Sequence, residues 1–187
     1  MIVQTERTIL REASHDDASF ILRLVNEPGW LRFIGDRGIH DVEAARDFID
    51  LRWREIHPKL GFGLCIAEET STHTPIGLIG FVQRNSLDAP DIGYAVSGPY
   101  QGKGYAYEVC RALIDHGWNN LGYEKIYGYC QPDNAASIRV LEKLGLRYLR
   151  AQDVNNNGDV CKPYGAKRPN HCNNKPRHGT AGCARDA

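Results

Sequence analysis

Apolar positions along the chain switch repeatedly between a period of two and a period near 3.6, and the switches divide it into elements. Thr8-Ile-Leu-Arg11 reads as a short strand. Ser14 and Asp17 resemble a capping box that opens a helix with Ala18, Ile21, Leu22 and Val25 on one face, and Pro28-Gly29 ends it. Asp41 can cap a second helix with Val42, Ala45, Ile49, Trp53 and Ile56 at helical spacing, before Pro58 stops it. Three strands follow at Phe62–Glu68, Ile76–Gln83 and Asp91–Val96, joined by turns at Thr70–Pro75 and Asn85–Pro90, so they predict an antiparallel meander. A third helix from about Gly104 carries Ala106, Val109, Cys110, Leu113, Ile114 and Gly117 as one buried stripe. Lys125–Cys130 reads as a strand, and Asn134–Leu144 as a helix stopped by Gly145. The body is therefore βααβββαβα, a mixed sheet with packed helices, of the α/β (α+β) class.

The length of 187 residues allows one domain and a tail. With 23 Lys+Arg against 23 Asp+Glu, bulk charge gives no attraction to nucleic acid or to an anionic membrane, and neither is expected as a partner. The balance hides a boundary: residues 166–187 carry +4 and residues 1–165 carry −4. The tail has no Val, Ile, Leu, Phe or Tyr to offset the entropy of ordering it, so residues 1–165 are expected to form the domain and 166–187 a disordered basic extension. His171, Cys172, His178 and Cys183 lack the paired close spacing of a zinc finger, and no His-x3-His pair occurs anywhere, so no metal is expected. No run approaches the ~18 apolar residues of a membrane-spanning helix, and the start lacks the pattern of an export signal. With six scattered Cys expected as reduced thiols, the reading is cytoplasmic.

The chemistry concentrates between the third meander strand and the third helix, at Tyr94-Ala-Val-Ser-Gly-Pro-Tyr-Gln-Gly-Lys-Gly-Tyr-Ala106. Gly102 and Gly104 let backbone approach a ligand closely, and the free N–H groups of a helix start attract phosphate oxygens. A Walker A loop would need a hydroxyl residue after Gly-Lys, and here Gly104 stands there. The dinucleotide fingerprint would place Tyr107 where close helix packing needs Gly.

Gln101-x-x-Gly104-x-Ala106 after a strand resembles the acyl-CoA loop of the GNAT superfamily of N-acetyltransferases. The segment Asn134-Ala-Ala-Ser-Ile-Arg-Val-Leu-Glu-Lys-Leu-Gly145 resembles a second motif of that family, two elements later. Trp30–Arg37, Asp91-Ile-Gly-Tyr and the long first loop are most similar to the RimJ/RimL branch. The resemblance implies a mixed, mostly antiparallel sheet, with helices on both faces, splayed between Asp91–Val96 and Lys125–Cys130 around an acyl-CoA cleft. It implies acetyl-CoA as co-substrate: backbone groups of Val96 on the pantetheine amides, Gln101, Gly102, Lys103, Gly104, Tyr105 and Ala106 around the pyrophosphate, and Asn134 on the far arm of the cofactor. Asn134 reads equally as a plain helix cap.

The family reaction is direct attack of an amine on a thioester, for which the amine must be unprotonated. At pH 7 an α-amino group is free base about one time in seven and a lysine about four times in ten thousand, so of the two acceptor classes the resemblance implies, a protein N-terminus or a small amine, an N-terminal substrate needs less help. Asp91 is the candidate general base, with a solvated strand start as its ordinary reading and Asp88 as a weaker alternative. A backbone N–H near Val96 is expected to polarise the thioester carbonyl. Leu141 stands where many members carry a proton-donating Tyr, and a thiolate of pKa ~8.5 can leave unprotonated. Cys130 as an acyl nucleophile has no nearby His in sequence, and buried Cys is commonly a small hydrophobe. Trp30, Phe33 and Trp53 line either an acceptor pocket or the core. At the C-terminal end, the closing hairpin of the family falls on Tyr148–Tyr164, where Pro163 interrupts the second strand, so a frayed hairpin is expected. That expectation keeps a second function class open: a catalytically weakened acyl-CoA-binding sensor or structural subunit.

Overall fold

Alternating strand residues fall on two faces, and the two faces bury two separate sets of helices. The computed structural model describes residues 2–60, 63–84, 87–150, 152–153 and 160–169. Its strands are β1 (Val3–Gln4), β2 (Thr8–Arg11), β3 (Leu64–Glu69), β4 (Pro75–Val82), β5 (Asp91–Val96), β6 (Lys125–Cys130), β7 (Arg147–Tyr148), β8 (Gln152–Asp153) and β9 (Val160–Lys167). The helices are α1 (Ala18–Val25), α2 (Pro28–Phe33), α3 (Val42–Leu60), α4 (Tyr105–Asn119) and α5 (Ala135–Lys143). The sheet runs β1-β2-β3-β4-β5-β6-β9-β7, with β8 paired to β9. Every pairing is antiparallel except β5 with β6.

One face of the sheet carries Cys65, Ile79, Phe81, Ile92, Ile126 and Cys130 against α4 and α5, a cluster that includes Val109, Cys110, Leu113 and Leu141. The opposite face presents Ile66 and Leu78, with Ala95 beside them, to Ala18, Ile21, Leu24, Val25, Trp30, Ala45 and Ile49 of α1 to α3. Cys130 belongs to the first cluster and Trp30 to the second, so both serve the core; the Trp53 side chain lies outside the described residues.

Three expectations change. The second helix does not stop at Pro58 but runs to Leu60, because proline keeps a helical φ and forfeits only one hydrogen bond when it lies in the last turn. Pro28-Gly29, read as a terminator, opens the additional helix α2, with Pro28 in its first turn, where a missing N–H costs nothing. Pro163 does not fray the closing strand: β9 continues through it to Lys167 between β6 and β7, two residues past the expected boundary at 165. Arg168 N–H donates to the Glu124 carbonyl at 2.8 Å, and alternation along the ladder puts Pro163 at a position that makes no hydrogen bond to β6. On the other edge its carbonyl accepts from Leu149 N–H at 2.9 Å, just where β7 has ended, so the absent donor falls at the end of that ladder. The residues read as a basic tail beyond 169, including the discounted zinc-type His and Cys, lie outside the described residues.

Candidate active site

Parallel strands β5 and β6 meet at one register pair only, Asp91 with Tyr127, supported by Tyr127 N–H donating to the Pro90 carbonyl at 2.9 Å. Beyond that point they diverge, and a wedge opens between Gly93–Val96 and Gly128–Cys130. The wedge has polar walls. Ser97 N–H donates to the Ile76 carbonyl at 2.9 Å, and the register sets Val96 opposite Gly77 and Tyr94 opposite Ile79. Bonded and non-bonded pairs alternate in an antiparallel ladder, so the N–H and C=O groups of Tyr94 and Val96 turn away from β4 into the wedge. The Val96 carbonyl accepts from Gln101 Nε2 at 2.8 Å.

At the open end of β5 the chain makes a 3-10 turn, Gly98–Tyr100, and reaches α4 through Gly102 and Gly104, both left-handed at φ +74° and +87°. Gln101 and Gly102 form a hydrogen-bonded turn that closes on Lys103, whereas the N–H groups of Gly102 and Gly104 find no partner among the described residues, and those of Tyr105 and Ala106 are in the unpaired first turn. Gly104 is the N-cap and has no side chain to close that turn. Four unpaired backbone donors, of Gly102, Gly104, Tyr105 and Ala106, and the dipole of α4 therefore lie at the mouth of the wedge, an arrangement that attracts anionic groups. Arg7 braces this loop: its Nη1 donates to the Lys103 carbonyl at 3.1 Å, its Nε to Glu108 at 2.7 Å, and its guanidinium lies 4.5 Å from the Tyr105 ring centroid. Lys103 Nζ sits 5.6 Å from the Tyr100 ring centroid.

Asn134 is the N-cap of α5, its Oδ1 accepting from Ser137 N–H at 3.0 Å. The capping reading thus holds, and the side-chain NH2 has no partner among the described residues. Leu141 is fully buried and packs over Gly128 rather than facing the wedge as an acid.

On the opposite face, β5 presents Asp91, Gly93 and Ala95; Val82 and Leu64 lie over Gly93, and Ala95 packs against the helices of that face. Asp91 is 1% exposed. Burial pushes its carboxyl up to about 6, against the pull of Arg84, whose Nε donates to Oδ1 at 3.1 Å. Asp88 goes the other way: it accepts from Lys125 Nζ at 2.6 Å and Tyr127 OH at 2.8 Å, which hold its carboxyl below the usual range. Of the two carboxylates, Asp91 has the basicity a proton acceptor needs. Burial raises the Cys130 thiol to about 11, so it rests as an inert thiol. Among the described residues no cluster suited to a metal ion occurs.

Helix α2 spans the open end of the wedge on the Asp91 side. Glu27, just before it, accepts from Gly98 N–H at 3.0 Å beyond β5, and Arg32 donates to Asp133 at 2.8 Å beyond β6. Arg7, Arg84, Glu27 and Arg32 are the site residues that sequence reading missed. Each acts on a partner from another element, and only the parity of Asp91 and Tyr129, both on the outer face, hinted at Arg84's surroundings.

A splayed β5/β6 pair with a glycine-rich anion loop at its open end is the frame of one acetyltransferase family, and its profile, the acetyltransferase (GNAT) domain, matches residues 7–147. The chain belongs to the GNAT family. Its curated relatives include the uncharacterized protein YkkB of Bacillus subtilis, 33% identical over 78% of this chain and 85% of that protein. An uncharacterized N-acetyltransferase of the same organism, YnaD, is 27% identical over 79% and 83%. Among solved structures, a GNAT acetyltransferase from Bacillus anthracis superposes with a TM-score of 0.74 at 22% identity, over 89% of this chain and 98% of that one. The RimL ribosomal L7/L12 α-N-protein acetyltransferase, in complex with coenzyme A, gives 0.73 at 18% identity over 89% and 97%. The spermidine N-acetyltransferase of Vibrio cholerae, in complex with coenzyme A and spermine, gives 0.71 at 17% over 87% and 96%. Like its GNAT relatives, the chain is an N-acetyltransferase with acetyl-CoA as co-substrate. No helix among the described residues is long and apolar enough to cross a membrane.

Proposed function

We propose that this acetyltransferase acts on an α-amino group, of a protein N-terminus or of a small amine, as members of the RimJ/RimL branch do, in a ternary complex and in the cytoplasm. The observation that carries the reading is the wedge, whose inward backbone groups at Tyr94 and Val96 lead to the donors at Gly102–Ala106. Asp91 and Val96 stand five residues apart, roughly 16 Å of strand, enough to lay out an extended pantetheine arm beside β5. The thiol end then lies toward the closed base of the wedge, where Asp91 is. Val96 and Tyr94 pair with the amides of the arm, for which Gln101 must release the Val96 carbonyl. A wedge-facing N–H of β5 polarises the thioester carbonyl, a donor fixed in place before the reaction begins.

Asp91, ionised about nine times in ten at pH 7 with its carboxyl near 6, accepts the amine proton directly or through one water. Arg84 holds the carboxylate in place. Asn134 keeps its capping bond and offers its NH2 to the cofactor. With Leu141 in the core, the thiolate leaves without a protein acid, at little cost for a group of pKa ~8.5. The weakened-sensor reading rested on a broken hairpin; β9 runs through Pro163, which weakens that ground, while residues 151 and 154–159 of the hairpin lie outside the described residues. The test is calorimetry with coenzyme A followed by thiol release from acetyl-CoA with a panel of amines. Micromolar binding and amine-dependent thiol release are expected; absence of binding refutes the site, and binding without release for any amine refutes the activity.

A further inference from the structure

The glycine loop before α4 is held from the turn between β1 and β2, where Arg7 lies. The backbone of Arg7 is fixed on both sides: its N–H donates to Glu108 Oε1 at 3.0 Å, and its carbonyl accepts from Thr70 N–H at 2.9 Å. Glu108, in the first turn of α4, also takes the Thr5 hydroxyl on Oε1 at 2.6 Å and the Arg7 Nε and Nη2 on Oε2 at 2.7 and 2.6 Å. The guanidinium lies 4.5 Å from the Tyr105 ring centroid, and the Tyr105 hydroxyl donates to Glu69 at 2.7 Å, at the end of β3. One guanidinium nitrogen remains, Nη1, and it donates to the Lys103 carbonyl at 3.1 Å. That bond has a direction. The C=O of one residue and the N–H of the next point opposite ways in a trans peptide, and no cis bond occurs among the described residues, so a Lys103 carbonyl turned to Arg7 sends the Gly104 N–H away from it. Between two left-handed glycines that peptide plane would otherwise rotate easily, and a carbonyl swung outward would repel a phosphate oxygen where the N–H attracts it. Glu108 brings a negative charge to the same turn, and Arg7 neutralises it.

We infer that Arg7 is a positioning residue for the acetyl donor: held by Glu108, it keeps the Lys103 carbonyl turned inward and so aims the Gly104 N–H at the diphosphate of acetyl-CoA. The inference rests on the reading of the loop as the diphosphate site. Arg7 acts through Lys103 and touches no reacting atom, so its effect falls on donor affinity and leaves the chemical step alone. A loop already fixed in its binding shape loses less freedom when the donor arrives. The Arg7 side chain is 43% exposed, and ion pairs at such positions contribute little to stability, so the fold does not depend on it.

The test compares two acetyl donors, acetyl-CoA and S-acetylpantetheine, which keeps the thioester and lacks the diphosphate. Arg7→Gln keeps the backbone bonds at residue 7 and should raise KM for acetyl-CoA about tenfold, the loss of one oriented donor, with kcat and the acceptor KM within about twofold of wild type. Its kcat/KM with S-acetylpantetheine should move by no more than about twofold, whereas a general loosening of the fold would lower both donors alike. Arg7→Lys should recover part of the loss, since a single ammonium cannot hold Glu108 and the Lys103 carbonyl in the same geometry. Glu108→Gln supplies a test of sign. It removes a negative charge beside an anion site, so charge alone predicts tighter coenzyme A binding by calorimetry; loss of the brace predicts weaker binding, which is the expected result. An unchanged acetyl-CoA KM in Arg7→Gln, an equal loss with both donors, or tighter binding in Glu108→Gln overturns the inference. If the shorter donor is turned over too slowly to compare, the melting midpoint of Arg7→Gln takes its place: it should stay within about 2 °C of wild type while coenzyme A affinity falls, and a parallel fall of both overturns the inference. Coenzyme A binding that neither variant alters defeats this role alone, whereas failure of the wild type to bind coenzyme A defeats the transferase reading beneath it.

Discussion

Asp88 and Asp91 are three residues apart, and their surroundings drive their acidities in opposite directions. Asp88 is exposed to a lysine and a tyrosine hydroxyl that favour its charge, while Asp91 is buried with one arginine that only partly compensates for lost water. Replacement of Asp91 by Asn should lower turnover ~10²-fold or more with coenzyme A affinity unchanged, measured by thiol release and calorimetry. In the wild type, turnover at saturating acceptor should rise through pH about 6 as Asp91 ionises, and this limb should vanish in Asp91→Asn. The same carboxylate has a stability consequence of definite sign. Its folded pKa of about 6 exceeds the ordinary 3.8, so its contribution is fully present below 3.8 and is lost as pH rises through 6. Asp91→Asn should therefore match the wild type near pH 4 and exceed it above pH 6, by up to about 3 kcal/mol. A variant less stable than the wild type at pH 8 would mean that the Arg84 pair outweighs burial.

At the scale of elements, the glycine loop and the two strands of the wedge decide what can bind. Gly104 is left-handed, and a Cβ there would meet only Arg7 Nη2, at 3.5 Å. Gly104→Ala should thus cost only the ~1–2 kcal/mol of backbone strain, whereas Gly104→Val should in addition cover the donors and abolish coenzyme A binding. Unchanged affinity for the valine variant by calorimetry would remove the loop from the site. Gly128 is different in kind, because its Cβ would press on the buried Leu141 Cδ2, and Gly128→Ala should lose roughly 1–3 kcal/mol in denaturant unfolding. Much of this was legible in the chain: β5 and β6 lie where period-two runs placed them, and α4 begins at the expected glycine. Helix α2 was not, since six residues opening Pro-Gly are too few to show a period. Arg84 was not, because periodicity assigns a side chain to a face and leaves its neighbours across the sheet unstated.

The whole molecule depends on its last described strand. β9 fills the place between β6 and β7, and Tyr164, opposite Gly128, is buried in the cluster beneath α4 and α5. Without β9, strand β6 would present an open edge along its whole length and the wedge would lose the support of its outer wall. Pro163 was the reason to doubt this strand, and its register answers the doubt: the missing N–H meets the end of β7 and breaks no bond to β6. Truncation after residue 160 should therefore abolish cooperative thermal unfolding and coenzyme A binding together. Truncation after residue 169 should leave the midpoint within about 2 °C and the affinity unchanged, as expected if residues 170–187 contribute no packing, because a 1 kcal/mol loss moves Tm by only ~2–4 °C in a chain of this size. A large loss on the second truncation would show that the basic C-terminal segment has a place in the fold, despite having no Val, Ile, Leu, Phe or Tyr to bury.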